Sequence, residues 1–109
     1  MFAVLIYKLS NTGIVQWNKY LGGSNVDYGI SIVQTLDGGY VISGMTFTNR
    51  NNALTYKLNN VGDVLWRKTF GGPYDNIAYS IAQTISGVNV FSGVINNNAW
   101  VYTFKDTAS

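Results

Sequence analysis

Shifted by 49 residues, the sequence falls on itself: residues 4–44 align with 53–93 without a gap, and 19 of those 41 positions are identical. Duplication on that scale means that one structural unit is used more than once, its copies packed against each other. Leu5-Ile6-Tyr7-Lys8-Leu9 returns as Leu54-Thr55-Tyr56-Lys57-Leu58, and Trp17-Asn18-Lys19-Tyr20-Leu21-Gly22-Gly23 returns as Trp66-Arg67-Lys68-Thr69-Phe70-Gly71-Gly72. Thr35-Leu36-Asp37-Gly38-Gly39-Tyr40 returns as Thr84-Ile85-Ser86-Gly87-Val88-Asn89, which keeps the Thr and the first Gly but neither the acid nor the ring. Once three residues are dropped from the Asn-rich loop at 96–98, Trp100-Val101-Tyr102-Thr103-Phe104 opens a third copy in the register of Leu54.

The unit is made of strands. Aromatic residues form 15% of the chain, there is one Pro, and twelve Gly punctuate stretches rich in Val, Ile and Thr, a composition that favours short strands over helices. Within one unit the pattern predicts strands at 28–36, 40–47, 53–58 and 64–70, divided by turns at Asp37-Gly38-Gly39, at 48–52 and at 59–62. Strand 64–70 sets Val64, Trp66, Lys68 and Phe70 on one side, as Val15, Trp17, Lys19 and Leu21 are set in the earlier copy, while the opposite side varies freely. One face is therefore specified and the other expected in solvent. Strand 28–36 sets large Tyr28, Ile30, Ile32 and Leu36 against small Gly29, Ser31, Val33 and Thr35, the profile of an innermost strand where sheets converge.

The combined pattern, W-x-K-x-[LF]-G-G, then Q-T-x-D-G-G-Y-V-I-S-G, then Y-K-L-x-x-x-G-x-V-x-W, resembles the repeats of secreted bacterial and archaeal β-propeller proteins. The resemblance spans nearly the whole chain. It implies an all-β fold of antiparallel four-stranded blades. Residues 1–23 would supply the last two strands of one blade, 24–72 a complete blade, and 73–109 the first three strands of a further one. Propellers close with about four to eight blades, so a little over two blades require completion. The remainder of a longer propeller, a homo-oligomeric ring (three chains giving six blades in its simplest form) or an open filament would each provide it. The resemblance further implies an extracellular or cell-surface location and a non-enzymatic scaffolding or recognition role, with carbohydrate binding as the alternative.

The side-chain inventory narrows the chemistry. The chain has no His, Cys or Glu, and its acids are Asp27, Asp37, Asp63, Asp75 and Asp106. Ser-His and Cys-His nucleophiles, thiolate or imidazole metal sites and disulfides are thereby excluded. Asp27 and Asp75 are read as loop acids that accept backbone N–H groups after the Gly pairs; a calcium site needs several clustered carboxylates, and each loop supplies one. No phosphate loop is read at Asp37, because no helix follows it. Seven scattered Lys and Arg give a net charge of +2, with no basic cluster for nucleic acid. No apolar run approaches the roughly 18–20 residues of a membrane span, and the opening Met-Phe-Ala-Val-Leu-Ile-Tyr is too short an apolar run for a signal peptide. No cofactor is expected.

Trp17 and Trp66, with Tyr7, Tyr56 and Tyr102, recur at matching repeat positions, Trp100 takes the place of Leu5 and Leu54, and all six are read as packing residues between units. Gly13, Gly22, Gly23, Gly38, Gly39, Gly62, Gly71, Gly72 and Gly87 are read as turn residues, and Asp37 as part of a hairpin signal. Tyr20, Tyr28 and Tyr74 remain as candidates for a partner surface.

Overall fold

The computed structural model describes residues 3–22, 25–48, 50–70, 75–95 and 98–105. Among them lie nine strands and no helix: β1 (Val4–Leu9), β2 (Val15–Leu21), β3 (Val26–Gln34), β4 (Tyr40–Phe47), β5 (Asn51–Leu58), β6 (Val64–Phe70), β7 (Asn76–Gln83), β8 (Val88–Ile95) and β9 (Asn98–Lys105). Each pairs antiparallel with its successor inside one of three sheets, ordered β1-β2, β3-β4-β5-β6 and β7-β8-β9. The all-β reading holds, and the strands at 40–47 and 64–70 run as expected. The first strand of the unit sits two residues earlier than its apolar alternation suggests. Val26 and Asp27 pair with Phe47 and Thr46, while Thr35 already belongs to the turn, its N–H donating to the Gly39 carbonyl at 2.9 Å.

Four hairpin turns share one construction. In 10–14, 35–39, 59–63 and 84–88, the first residue's N–H bonds the fifth residue's carbonyl, and the fourth residue, always Gly, donates back to the first at 3.0–3.1 Å. Gly13, Gly38, Gly62 and Gly87 hold φ of 86–88°, a left-handed conformation that Gly adopts without a Cβ penalty. The first residue is Ser, Thr or Asn, and its side chain takes backbone N–H groups within the turns at Ser10, Asn59 and Thr84.

The central sheet lies between the other two. Along β4 and β5 alternate side chains face opposite ways. Ile42, Leu54, Tyr56 and Leu58 pack against Val4, Ile6 and Leu21 of the two-stranded sheet. The edge of Trp17 meets Tyr40 at 5.8 Å. On the reverse face Val41 joins Ile81 and Phe91 of the three-stranded sheet, with Val33 and Trp100 packed beside them. Phe70 meets Tyr102 there in a tilted contact, with ring centroids 4.6 Å apart.

The recurring Ser-Gly at 43–44 and 92–93 has a steric cause. Register shifts between Gly29 and Ser31 and between Ala78 and Ser80 push a carbonyl toward the neighbouring strand. A Cβ on Gly44 would sit 1.8 Å from the Tyr28 oxygen, and one on Gly93 2.0 Å from the Ile77 oxygen. Gly44→Ala should therefore cost about 3 kcal/mol, since backbone cannot step aside. Gly13→Ala, where a Cβ meets nothing but φ is +87°, should cost about 1–2 kcal/mol. Urea unfolding midpoints of the two variants check the ranking.

Candidate functional site

Repeat positions that are buried in the middle of the stack are bare at its end. Leu54, Tyr56 and Leu58 are 1%, 3% and 0% exposed beneath the first sheet, whereas their counterparts Leu5, Tyr7 and Leu9 are 48%, 53% and 50% exposed. The far side of the third sheet is bare in the same way: Val101 is 70% exposed, where its counterpart Thr55 is at 0%. An apolar face of Leu5, Tyr7 and Leu9 thus stands open at the first end of the stack, and Val101, beside half-buried Val90 and Val94, stands open at the other.

The first sheet also has an open edge. β2 pairs with one side of β1, and among the described residues no strand pairs with the other. Beside that edge runs a groove of about 420 Å³ with Tyr7 on the β1 wall and Tyr28, Ile30 and Ile32 on the β3 wall. The bulky face of β3 therefore points into open space beside β1. A second hollow, about 490 Å³, lies around Tyr20, Asn25, Tyr56 and Arg67.

Two polar clusters pin the central sheet. Lys57 is fully buried. Its Nζ donates to Thr35 Oγ1 at 2.7 Å and to Asp37 Oδ1 at 2.9 Å. The same carboxylate oxygen accepts the Thr35 hydroxyl and, at 2.9 Å, the Gly39 N–H. Hydrogen bonds from Thr35 and then Lys57 outweigh burial and hold the Asp37 carboxyl at about 2, down from 3.8. In the third unit Thr84 keeps the place of Thr35, its hydroxyl lies 3.1 Å from Ser86 in the place of Asp37, and Thr103 stands where Lys57 would be. Acid and base are lost together. Lys8 repeats Lys57 on β1, half-exposed, with no acid near it among the described residues.

The second cluster lies on the other face. Asp27 is buried; its Oδ2 accepts the Tyr56 hydroxyl at 3.2 Å, and Arg67 Nη2 lies 3.8 Å from Oδ1. Arg67 Nε also donates to the Tyr56 hydroxyl at 3.3 Å, with its guanidinium 5.7 Å from the ring centre. Burial pushes the Tyr56 hydroxyl up, so it stays protonated as a donor. Asp27 is thus no loop acid taking backbone N–H groups: it is the second residue of β3, carried inside with Tyr56 of β5 donating to Oδ2 and the Arg67 charge of β6 nearby, while Oδ1 makes no hydrogen bond. Its counterpart at the repeat period is the buried Asn76. Asp75 does accept a backbone N–H, at 2.8 Å, but from Asn51 across the sheet interface.

The remaining sequence-predicted residues divide by location. Trp17 and Trp100 pack into the two cores; the Trp100 indole N–H is buried without a hydrogen bond. Trp66 carries Lys68 Nζ at 5.0 Å from its ring. Tyr56 is buried and Tyr7 is half-exposed at the first end of the stack, whereas Tyr102 packs on Phe70 between the central and third sheets while keeping 44% of its surface exposed. Gly39 passes so close to the Leu58 carbonyl that a Cβ would sit 2.2 Å from it, whereas a Cβ on Gly22 would meet Ala3 and Asp27 at an ordinary contact distance of 3.4 Å. Tyr20 and Tyr28 are exposed. Gly23, Gly71, Gly72, Tyr74 and Asp106 lie outside the described residues. Sequence reading missed the Asp37–Lys57 pair; the matching loss of both in the third unit was the signal that could have found it. Among the described residues no three acids converge as a metal site would require.

No protein-family model matches the chain, and no curated protein matches it at a significant level.

Asp37→Asn should destabilise the protein by about 2–3 kcal/mol at neutral pH, below the about 3–5 of a wholly buried broken pair because Asp37 keeps solvent contact. Adding Lys57→Met should restore much of that. Because the folded carboxyl is held below its ordinary 3.8, its contribution is complete above that value and lost as pH falls toward about 2. The wild-type Tm should therefore drop more steeply across that window than that of Asp37→Asn, as thermal unfolding followed by circular dichroism would show.

Proposed function

We propose that the chain is a non-enzymatic repeat module of β-propeller type that works by assembly, its sheets acting as blades of a cell-surface or extracellular structure. One observation carries this reading: Leu5, Tyr7 and Leu9 repeat Leu54, Tyr56 and Leu58, yet stand half-exposed where those are buried. Each half-covered side chain forgoes roughly 1 kcal/mol of burial. A second copy offers the matching surface, because the far side of the third sheet, with Val90, Val94 and Val101, stands where the central sheet carries Val41, Met45 and Thr55. Stacking of the end sheets is the contact proposed, rather than pooling of their strands. β1 and β9 both hold the position of β5, so pooling would put five strands in one sheet. Such a head-to-tail contact closes into a ring or extends into a filament.

A lectin-like reading has one observation in its favour, the hollow beside Tyr20, where Asn25 and Arg67 offer hydrogen bonds next to an exposed ring. Binding on a glycan array that Tyr20→Ala abolishes would favour it.

Sedimentation tests the assembly. The wild-type chain should form a defined multimer or a growing series. Leu9→Asp at one end and Val101→Asp at the other should each give a monomer with an unchanged circular dichroism spectrum, because every contact uses both surfaces. A wild-type chain that stays monomeric at all concentrations sinks the reading.

A further inference from the structure

We propose that the open edge of β1 receives a β-hairpin carrying two acids, one in a Thr-x-Asp-Gly-Gly turn and one at the second position of its first strand. The inference rests on the repeat-module reading, with the central sheet as its template. There the hairpin β3–β4 lies along β5 in a fixed register, Val41 opposite Lys57, Ile42 opposite Tyr56 and Gly44 opposite Leu54. β1 repeats β5 at Leu5, Tyr7, Lys8 and Leu9 and is flanked by β2 as β5 is by β6. Its other side faces the apolar groove.

What the hairpin supplies to β5 is what β1 lacks. Lys57 takes the turn acid Asp37, and Tyr56 takes the strand acid Asp27. Lys8 and Tyr7 have no acid among the described residues, and they project to opposite faces of β1. A single added strand could not satisfy both. The Tyr56 hydroxyl reaches past β4, where Gly44 presents no side chain, to an acid two strands away. The occupant must therefore be two-stranded, with a small residue opposite Leu5. Charge agrees: residues 26–47 hold Asp27 and Asp37 and no Lys or Arg, against a chain of net charge +2. Backbone pairing along the edge would supply the affinity, and the two acids the selectivity.

A synthetic peptide of residues 26–47, labelled for fluorescence anisotropy, is the probe. It is added to the full chain carrying Val101→Asp, a change remote from β1 that removes stacking. The peptide should bind, and an Asp37→Asn peptide should bind about tenfold more weakly, the worth of one charge-assisted hydrogen bond. In a chain that also carries Lys8→Met, the two peptides should bind equally. No binding, equal binding to the Lys8 chain, or an Asp37 dependence that persists after Lys8→Met overturns the proposal. Since sedimentation reports stacking and anisotropy reports edge binding, failure of the inference and failure of the reading it rests on are told apart.

Discussion

The central sheet of this protein is buried on both faces, and that constraint orders everything else. A strand with one dry face alternates apolar and polar residues. Here β5 sets Leu54, Tyr56 and Leu58 toward one neighbour and Ala53, Thr55 and Lys57 toward the other, all six buried. A sheet of that kind has no water-facing side and is stable only between two others. The central sheet meets the condition on both faces. The outer sheets meet it on one, and in the first sheet Leu5, Tyr7 and Leu9 pass from core to surface with no change in side chain.

Burial on both faces leaves little room for polar groups, and the chain uses the few it has as fasteners. Lys57 is tolerated inside because its ammonium group reaches the turn of the same sheet, where Thr35 and Asp37 meet it; its stem fills the interface like an apolar side chain. Asp27 is tolerated because Tyr56 and Arg67 close over it. Each cluster ties a residue of β5 to the far strand or turn of its own sheet. The pair formed by Lys57 and Asp37 therefore fixes the position of the hairpin relative to β5. In the proposed assembly, scaffolding and recognition would use one set of contacts: satisfied within the central sheet they hold it together, and unsatisfied on β1 they would specify what can join it.

Much of this order was legible in the sequence because it is local. Alternation with period two and a Gly four residues into each turn locate the strands and hairpins to within two residues. What the sequence concealed depends on pairing across distance. Asp27 reads as a turn residue by its type, and only Tyr56, 29 positions away, makes it a buried strand residue. Lys57 reads as a solvent charge, yet the turn that satisfies it lies 20 positions earlier. The Ser-Gly repeat reads as generic strand sequence until the bulges in β3 and β7 bring a carbonyl against it.

The two ends of the stack differ in what they demand of a neighbour. At the third sheet the fastener is gone: Ser86 and Thr103 replace the acid and the base, and the surface around the exposed Val101 carries Ser92, Thr103 and Lys105 but, among the described residues, no acid. Any sheet face of suitable shape meets that requirement, since hydrophobic contact has no directional preference. The first sheet keeps both Lys8 and Tyr7 beside an open edge. Enclosing Lys8 without a carboxylate would leave a buried ammonium group unpaired, a heavy penalty that a neutral partner cannot offset. In the proposed assembly, selectivity would therefore reside at the β1 end and adhesion at the β9 end.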